Sequence, residues 1–235
     1  MKEILQASKK LIWYNVKILF SHKFFYFSGA AFLYFIITCV INYFSKGDHL
    51  SGPAVMPVLL QIPSVILIIF LSMEIVSYER ENKTIESVFT VSGSIYKVWL
   101  IKLGVMYLVI LSIMFIMDIL SFFFVADFPV GGMLFHSFVP LLLIGNMTFY
   151  FSVRLRSGNA AGMITVIIVL FFLFLSEPLQ NSRFFLFLNP YAKPRDLEIV
   201  IWERIVFQNR IGIIAISSLF LYLGLTATKK RERLL

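Results

Sequence analysis

The chain has 235 residues, 59% of them hydrophobic and only 14% charged, with a formal net charge of +8. Soluble globular domains carry about 25% charged residues, so the composition excludes an ordinary water-soluble domain and predicts an all-α polytopic membrane protein built as one transmembrane domain over 1–235. No basic stretch stands apart from the membrane flanks, which argues against nucleic acid; in such a protein Lys and Arg chiefly record orientation.

Over residues 1–23, Ile4, Leu5, Ser8, Leu11, Ile12, Val16 and Leu19 fall on one helical stripe. Lys2, Gln6, Lys9, Lys10 and Lys17 fall on the other, with Trp13 near the boundary. This predicts an interfacial helix with its lysines toward anionic lipid. The basic stretch is too long for the n-region of a cleaved signal peptide, so the N-terminus is expected to be retained.

Apolar runs then predict six spans, at about 25–44, 54–76, 98–125, 133–153, 158–176 and 211–227. The only cysteine, Cys39, lies in the first, so no intrachain disulfide can form. Pro57 and Pro63 interrupt the second span and Pro140 the fourth, which neighbouring helices or water must compensate. Lys102 stands where it can snorkel from the start of the third. Asn42, Gln61, Ser64 and Asn146 are polar within spans. They are candidates to line a transport pathway, with interhelical hydrogen bonding as the plainer role. Glu74, Asp118 and Glu177 fall near span ends, where solvated or capping carboxylates are expected. Gly158 and Gly162 form a G-x-x-x-G that allows close helix approach, a candidate for packing between two subunits.

Two segments fall outside the spans. Residues 77–97 form a polar loop in which Ile85, Val88 and Phe89 share a helical face beside Glu81, Thr84 and Glu86, the pattern of a short amphipathic docking helix. Residues 178–209 are predicted as two short re-entrant or interfacial helices joined at Asn189-Pro190, the second starting at Pro194. Fifteen of the 21 Lys and Arg fall on the side that holds both termini, the docking loop and the 154–156 link. That bias predicts cytoplasmic termini.

Catalytic and metal motifs are missing. There is no Walker A sequence, no H-E-x-x-H, and no G-x-S-x-G around Ser92-Gly93-Ser94. His22, His49 and His136 are scattered over regions assigned to different depths, so no metal site is expected. No catalytic residue is expected either.

At this point the residues resemble the membrane (permease) subunit of type-2 ABC exporters. That family shows a loop of the form E-R-E-x-G-T-[IL]-E-x-L-x-x-[ST]-P. Glu79-Arg80-Glu81-Asn82-Lys83-Thr84-Ile85-Glu86 matches its acids, its Thr and its Ile-Glu pair. It departs at Lys83, where glycine is usual, and at Gly93, where proline is common. Leu188-Asn189-Pro190 is similar to the family's N-P after the fifth span.

The resemblance implies a half-transporter in a bacterial or archaeal cytoplasmic membrane. It would pair with a second copy of itself or a homologous permease, and with two copies of a separate ATP-binding subunit that holds the ATP and Mg; no cofactor is expected on this chain. Glu79, Glu81, Thr84, Ile85, Glu86, Val88, Phe89 and Thr90 would form the coupling element that docks on the ATPase. Amphipathic cargo (peptide, lipid, glycan or drug) would suit so apolar a chain. Two other readings stand beside it: a non-transporting membrane partner or immunity protein, and a lipid-modifying membrane enzyme. The enzyme would require paired carboxylates or histidines at one depth, which the sequence does not display.

Overall fold

A computed structural model describes the backbone of residues 22–45, 49–81 and 95–231. The interfacial helix predicted over 1–23 and the docking residues Thr84, Ile85, Glu86, Val88, Phe89 and Thr90 lie outside the described residues, apart from the start of the first span. Among the described residues every regular element is a helix. In chain order these are α1 (His22–Phe44), α2 (Gly52–Val55), a π-helical turn (Met56–Gln61), α3 (Ile62–Glu81), α4 (Ile95–Phe124), α5 (Val130–Leu155), α6 (Gly158–Phe174), α7 (Ser176–Leu179) and α8 (Ile199–Arg231).

Among the described residues five helices are long and apolar enough to cross a membrane: Phe24–Phe44, Gly52–Tyr78, Tyr96–Phe124, Val130–Leu155 and Ile199–Thr228. A sixth, Gly158–Phe174, is apolar but shorter. The described residues therefore form an all-helical, membrane-type bundle.

α5 is its hub and packs on α8, α3, α6 and α4. The Gly52–Tyr78 run is the most enclosed, with 67% of its apolar window buried against 22% for Phe24–Phe44 and for Ile199–Thr228. Within that run the chain widens for one turn: the Ile62 N–H reaches the Pro57 carbonyl, an i→i+5 bond. Pro63 has no N–H to return to the preceding turn, so the backbone relaxes instead of ending. Pro140 is likewise accommodated inside α5, fully surrounded by neighbours.

Between α5 and α6, Arg156 adopts the left-handed conformation with φ 56°. Ser157 then caps α6, its hydroxyl accepting from the Ala160 N–H at 3.3 Å. This tight link lays α6 back along α5, where the Thr148 hydroxyl donates to that of Thr165 at 3.2 Å.

The segment before α8 differs from the expectation. Two short helices were predicted over 178–209; the chain instead makes one turn of helix (α7), a fastened series of turns to residue 198, and a single helix from Ile199 onward. Pro194 sits in a turn, its carbonyl accepting from the Leu197 N–H at 3.4 Å. The last span was predicted to begin at about Ile211, just after Asn209 and Arg210, two residues that are costly in hydrocarbon. Both are satisfied by bonds inside the protein, so the helix passes through them without interruption.

Candidate functional site

Two regions, both open on one side, share the 185–192 segment as a common wall. The first is a cavity of about 730 Å³ between α1, α3, α6 and that segment. Ile62, Val65, Ile66, Ile69, Phe70 and Met73 form the α3 wall; Val166, Val169, Leu170 and Leu173 form the α6 wall. Phe27 of α1 stacks on Phe70 with ring centroids 3.6 Å apart. Phe185, Phe187, Asn189 and Ala192 contribute from the turns. The volume and the apolar lining fall in the range of small-molecule sites. Gln61 is the polar group from the most buried wall; it is 3% exposed and its amide nitrogen has no hydrogen-bond partner in the protein.

The second region is a buried polar cluster on the other side of the same segment. Asp118 of α4 is wholly buried, and neither carboxylate oxygen has a hydrogen-bond partner in the protein. Arg210 of α8, 4% exposed, donates three ways: Nε to His136 Nδ1 at 3.1 Å, one terminal nitrogen to Asn209 Oδ1 at 2.8 Å, and the other to the Leu188 carbonyl at 2.7 Å. Because Nδ1 accepts, the neutral His136 ring carries its proton on Nε2. Tyr191 packs edge-on against His136 at 6.0 Å and fits against Gly132, where a β-carbon would strike its hydroxyl. Burial pushes the Tyr191 phenol up from its ordinary value; the Asp118 charge adds to that and the Arg210 charge opposes it. Arg210 and His136 also open onto a smaller cavity of about 370 Å³ beside Phe207 and Trp202.

The wall itself is pinned at several points. The Asn189 side-chain amide donates to the Pro53 carbonyl at 2.7 Å, and its Oδ1 accepts from the Tyr191 N–H at 3.1 Å. Trp202 Nε1 donates to the Pro190 carbonyl at 2.8 Å. Asn209 donates to the carbonyls of Arg183 at 2.9 Å and Phe185 at 2.8 Å. These bonds give an irregular backbone at the bundle end the partners that hydrocarbon would deny it.

The residues singled out from the sequence take different places. Gln61 lines the apolar cavity. Ser64 is buried, its hydroxyl without a partner in the protein. Asn42 fastens the loop after α1: its Oδ1 accepts from the Leu50 N–H at 2.6 Å, and its carbonyl pairs with His49 Nδ1 at 3.0 Å. Asn146 cross-links three helices, accepting from the Tyr107 hydroxyl at 2.8 Å and donating to the Ser217 hydroxyl at 2.9 Å. Gly158 and Gly162 face α3 within the chain, and a β-carbon at either would strike Ser77 or Met73. Glu79 and Glu81 close the last turn of α3. Lys102 does not reach outward but is 5% exposed, its ammonium 5.2 Å from the Trp99 ring centroid.

Of the three carboxylates expected at an interface, Glu177 is exposed and Glu74 half-buried, whereas Asp118 is sealed inside. The sequence reading missed His136, Tyr191, Asn209 and Arg210 as one constellation. Its available signal was the Asn209-Arg210 pair inside an apolar run that begins at Ile199. No protein family, no curated protein and no solved structure matches the chain.

Proposed function

We propose that this chain is the permease half of an ATP-driven ABC exporter with six spans, α6 serving as the sixth despite its 17 residues. Both termini and the 77–97 loop face the cytoplasm, and the complex contains a second permease and two ATPase subunits. One observation carries the reading: α3, which forms the longest wall of the apolar cavity, ends on the Glu79-Arg80-Glu81 that opens the E-R-E-x-x-T-I-E sequence. A displacement of that loop by a docked ATPase tilts α3 and α4 together and reshapes the cavity. An amphipathic cargo suits a cavity lined by aliphatic and aromatic groups with few polar ones. The buried polar groups bear on the membrane-enzyme reading as well, since one of them is a histidine. His136 is nevertheless committed to Arg210, not to Asp118, and the cluster holds no activated nucleophile. Transport therefore remains the proposal.

Its test is co-purification of an ATPase with the tagged chain, followed by Glu86→Arg and Phe89→Asp. Loss of the ATPase with the chain still membrane-inserted is the expected result. Retention of the ATPase in both variants would overturn the coupling assignment.

A further inference from the structure

We propose that the smaller cavity holds the headgroup of a zwitterionic phospholipid, its phosphate on Arg210 and its ammonium toward Glu203. The first observation is an uncompensated charge. Arg210 is 4% exposed, yet the groups it binds are an imidazole, a side-chain amide and a backbone carbonyl, all neutral. Among the described residues no carboxylate pairs with it, and the oxygens of Asp118 make no hydrogen bond to it. A buried guanidinium without a counter-ion is costly, and an anion within reach offsets that cost. Its three bonds occupy three of five N–H groups, so two remain for such an anion.

The cavity beside it presents its groups in a telling order. Glu203, Val206, Phe207, Arg210, Ile211 and Ile214 line it from α8. Steps of three and four put them on one helical stripe. Along that stripe from the start of α8, an exposed carboxylate comes first. The guanidinium follows two turns later, about 10 Å along the axis, and aliphatic side chains come after it. A zwitterionic phospholipid has the same order from water inward: ammonium, phosphate, acyl chains. His136 of α5 lines the cavity too. With Nδ1 taken by Arg210, its Nε2–H is a further donor for a phosphate oxygen. Phe207, Ile211 and Ile214 are exposed, a face on which acyl chains can lie.

The depth agrees. Arg210 and Lys229 are separated along α8 by about 28 Å, close to the about 30 Å of a hydrocarbon layer. With Lys229 at one membrane surface, Arg210 falls at the phosphate level of the opposite leaflet. Binding here needs no ATPase and stands apart from the transport reading.

The test uses the full-length chain in detergent, with bound lipid counted by native mass spectrometry. The probes are phosphatidylethanolamine, phosphatidylglycerol and diacylglycerol with identical acyl chains, with soluble glycerophosphoethanolamine as a competitor. Phosphatidylethanolamine should bind about tenfold more tightly than diacylglycerol, as a charge-assisted contact implies, and more tightly than phosphatidylglycerol. The competitor, which has no chains, should displace little of it. Glu203→Gln should abolish the preference over phosphatidylglycerol. Ile211→Trp, which fills the mouth of the cavity, should weaken both phospholipids several-fold. These two changes leave the bonds of Arg210 in place, so they decide the matter even where Arg210→Gln does not fold. Where it folds, it should bind phosphatidylethanolamine no better than diacylglycerol. Equal binding of those two lipids by the native chain, or unaltered binding in Ile211→Trp, would overturn the site. A native preference for phosphatidylglycerol, or a preference unchanged in Glu203→Gln, would overturn the assigned headgroup. Full displacement by the soluble competitor would overturn a lipid as its source.

Discussion

On one side of the 185–192 segment lies an open-sided space walled by aliphatic and aromatic side chains; on the other, Arg210 gathers His136, Asn209 and the Leu188 carbonyl into one hydrogen-bonded cluster, with Tyr191 edge-on to His136. The apolar space depends on shape, and each of its walls can change a little without leaving anything unsatisfied. The polar cluster depends on mutual satisfaction, where removing one member strands several others. The same stretch of backbone thus has a tolerant face and an intolerant one, and substitutions should separate the two.

The largest effect is expected at Arg210. Arg210→Met strands the Leu188 carbonyl, Asn209 Oδ1 and His136 Nδ1, and should lower stability by about 3 kcal/mol, read as the unfolding midpoint in detergent. Arg210→Lys should recover only part of this, because an ammonium cannot span three acceptors in one plane. A loss too small to measure would mean the cluster is not what holds the turns.

Next comes Gly162→Leu, which drives a side chain into Met73 across the α3–α6 contact and should cost about 2 kcal/mol by the same measurement. If that variant is stable but loses self-association, the glycine serves a contact between chains as well as the one within. Asn146→Ala removes bonds to Tyr107 and Ser217 and should cost about 1 kcal/mol, in keeping with hydrogen bonds between membrane helices. Combining it with Ser217→Ala should add less than the sum of the two. The smallest change is predicted at Gln61→Leu. It removes a buried amide nitrogen without a partner in the protein, so stability should move by no more than about 0.5 kcal/mol, in either direction. Binding of an apolar fluorescent probe in the cavity should change all the same.

Much of the bundle could be read from hydropathy alone, because runs such as 96–124 and 130–155 leave no other stable arrangement in lipid. The start of α8 was not legible. Asn209 and Arg210 look like an end of the apolar stretch until one knows that Arg183, Phe185, Leu188 and His136 lie within bonding reach. Those partners come from segments 22 to 74 residues away in the chain, beyond any local periodicity. Asp118 misled for a related reason. Its position near a span end suggested solvent, yet the side chain is wholly buried. The glycine pair was expected to pack between two subunits; the structure sets Ser77 and Met73 of the same chain against it.

The unbroken run of α8 has one more consequence. Its 33 residues make a rod of about 50 Å, against a hydrocarbon layer of about 30 Å. Unless the rod leans steeply, its opening turns from Ile199 rise past the acyl chains like a mooring post. Trp202, tied there to Pro190, becomes a natural fluorescent gauge of where the waterline falls: quenchers confined to the headgroups should reach it, and quenchers buried at the bilayer midplane should not.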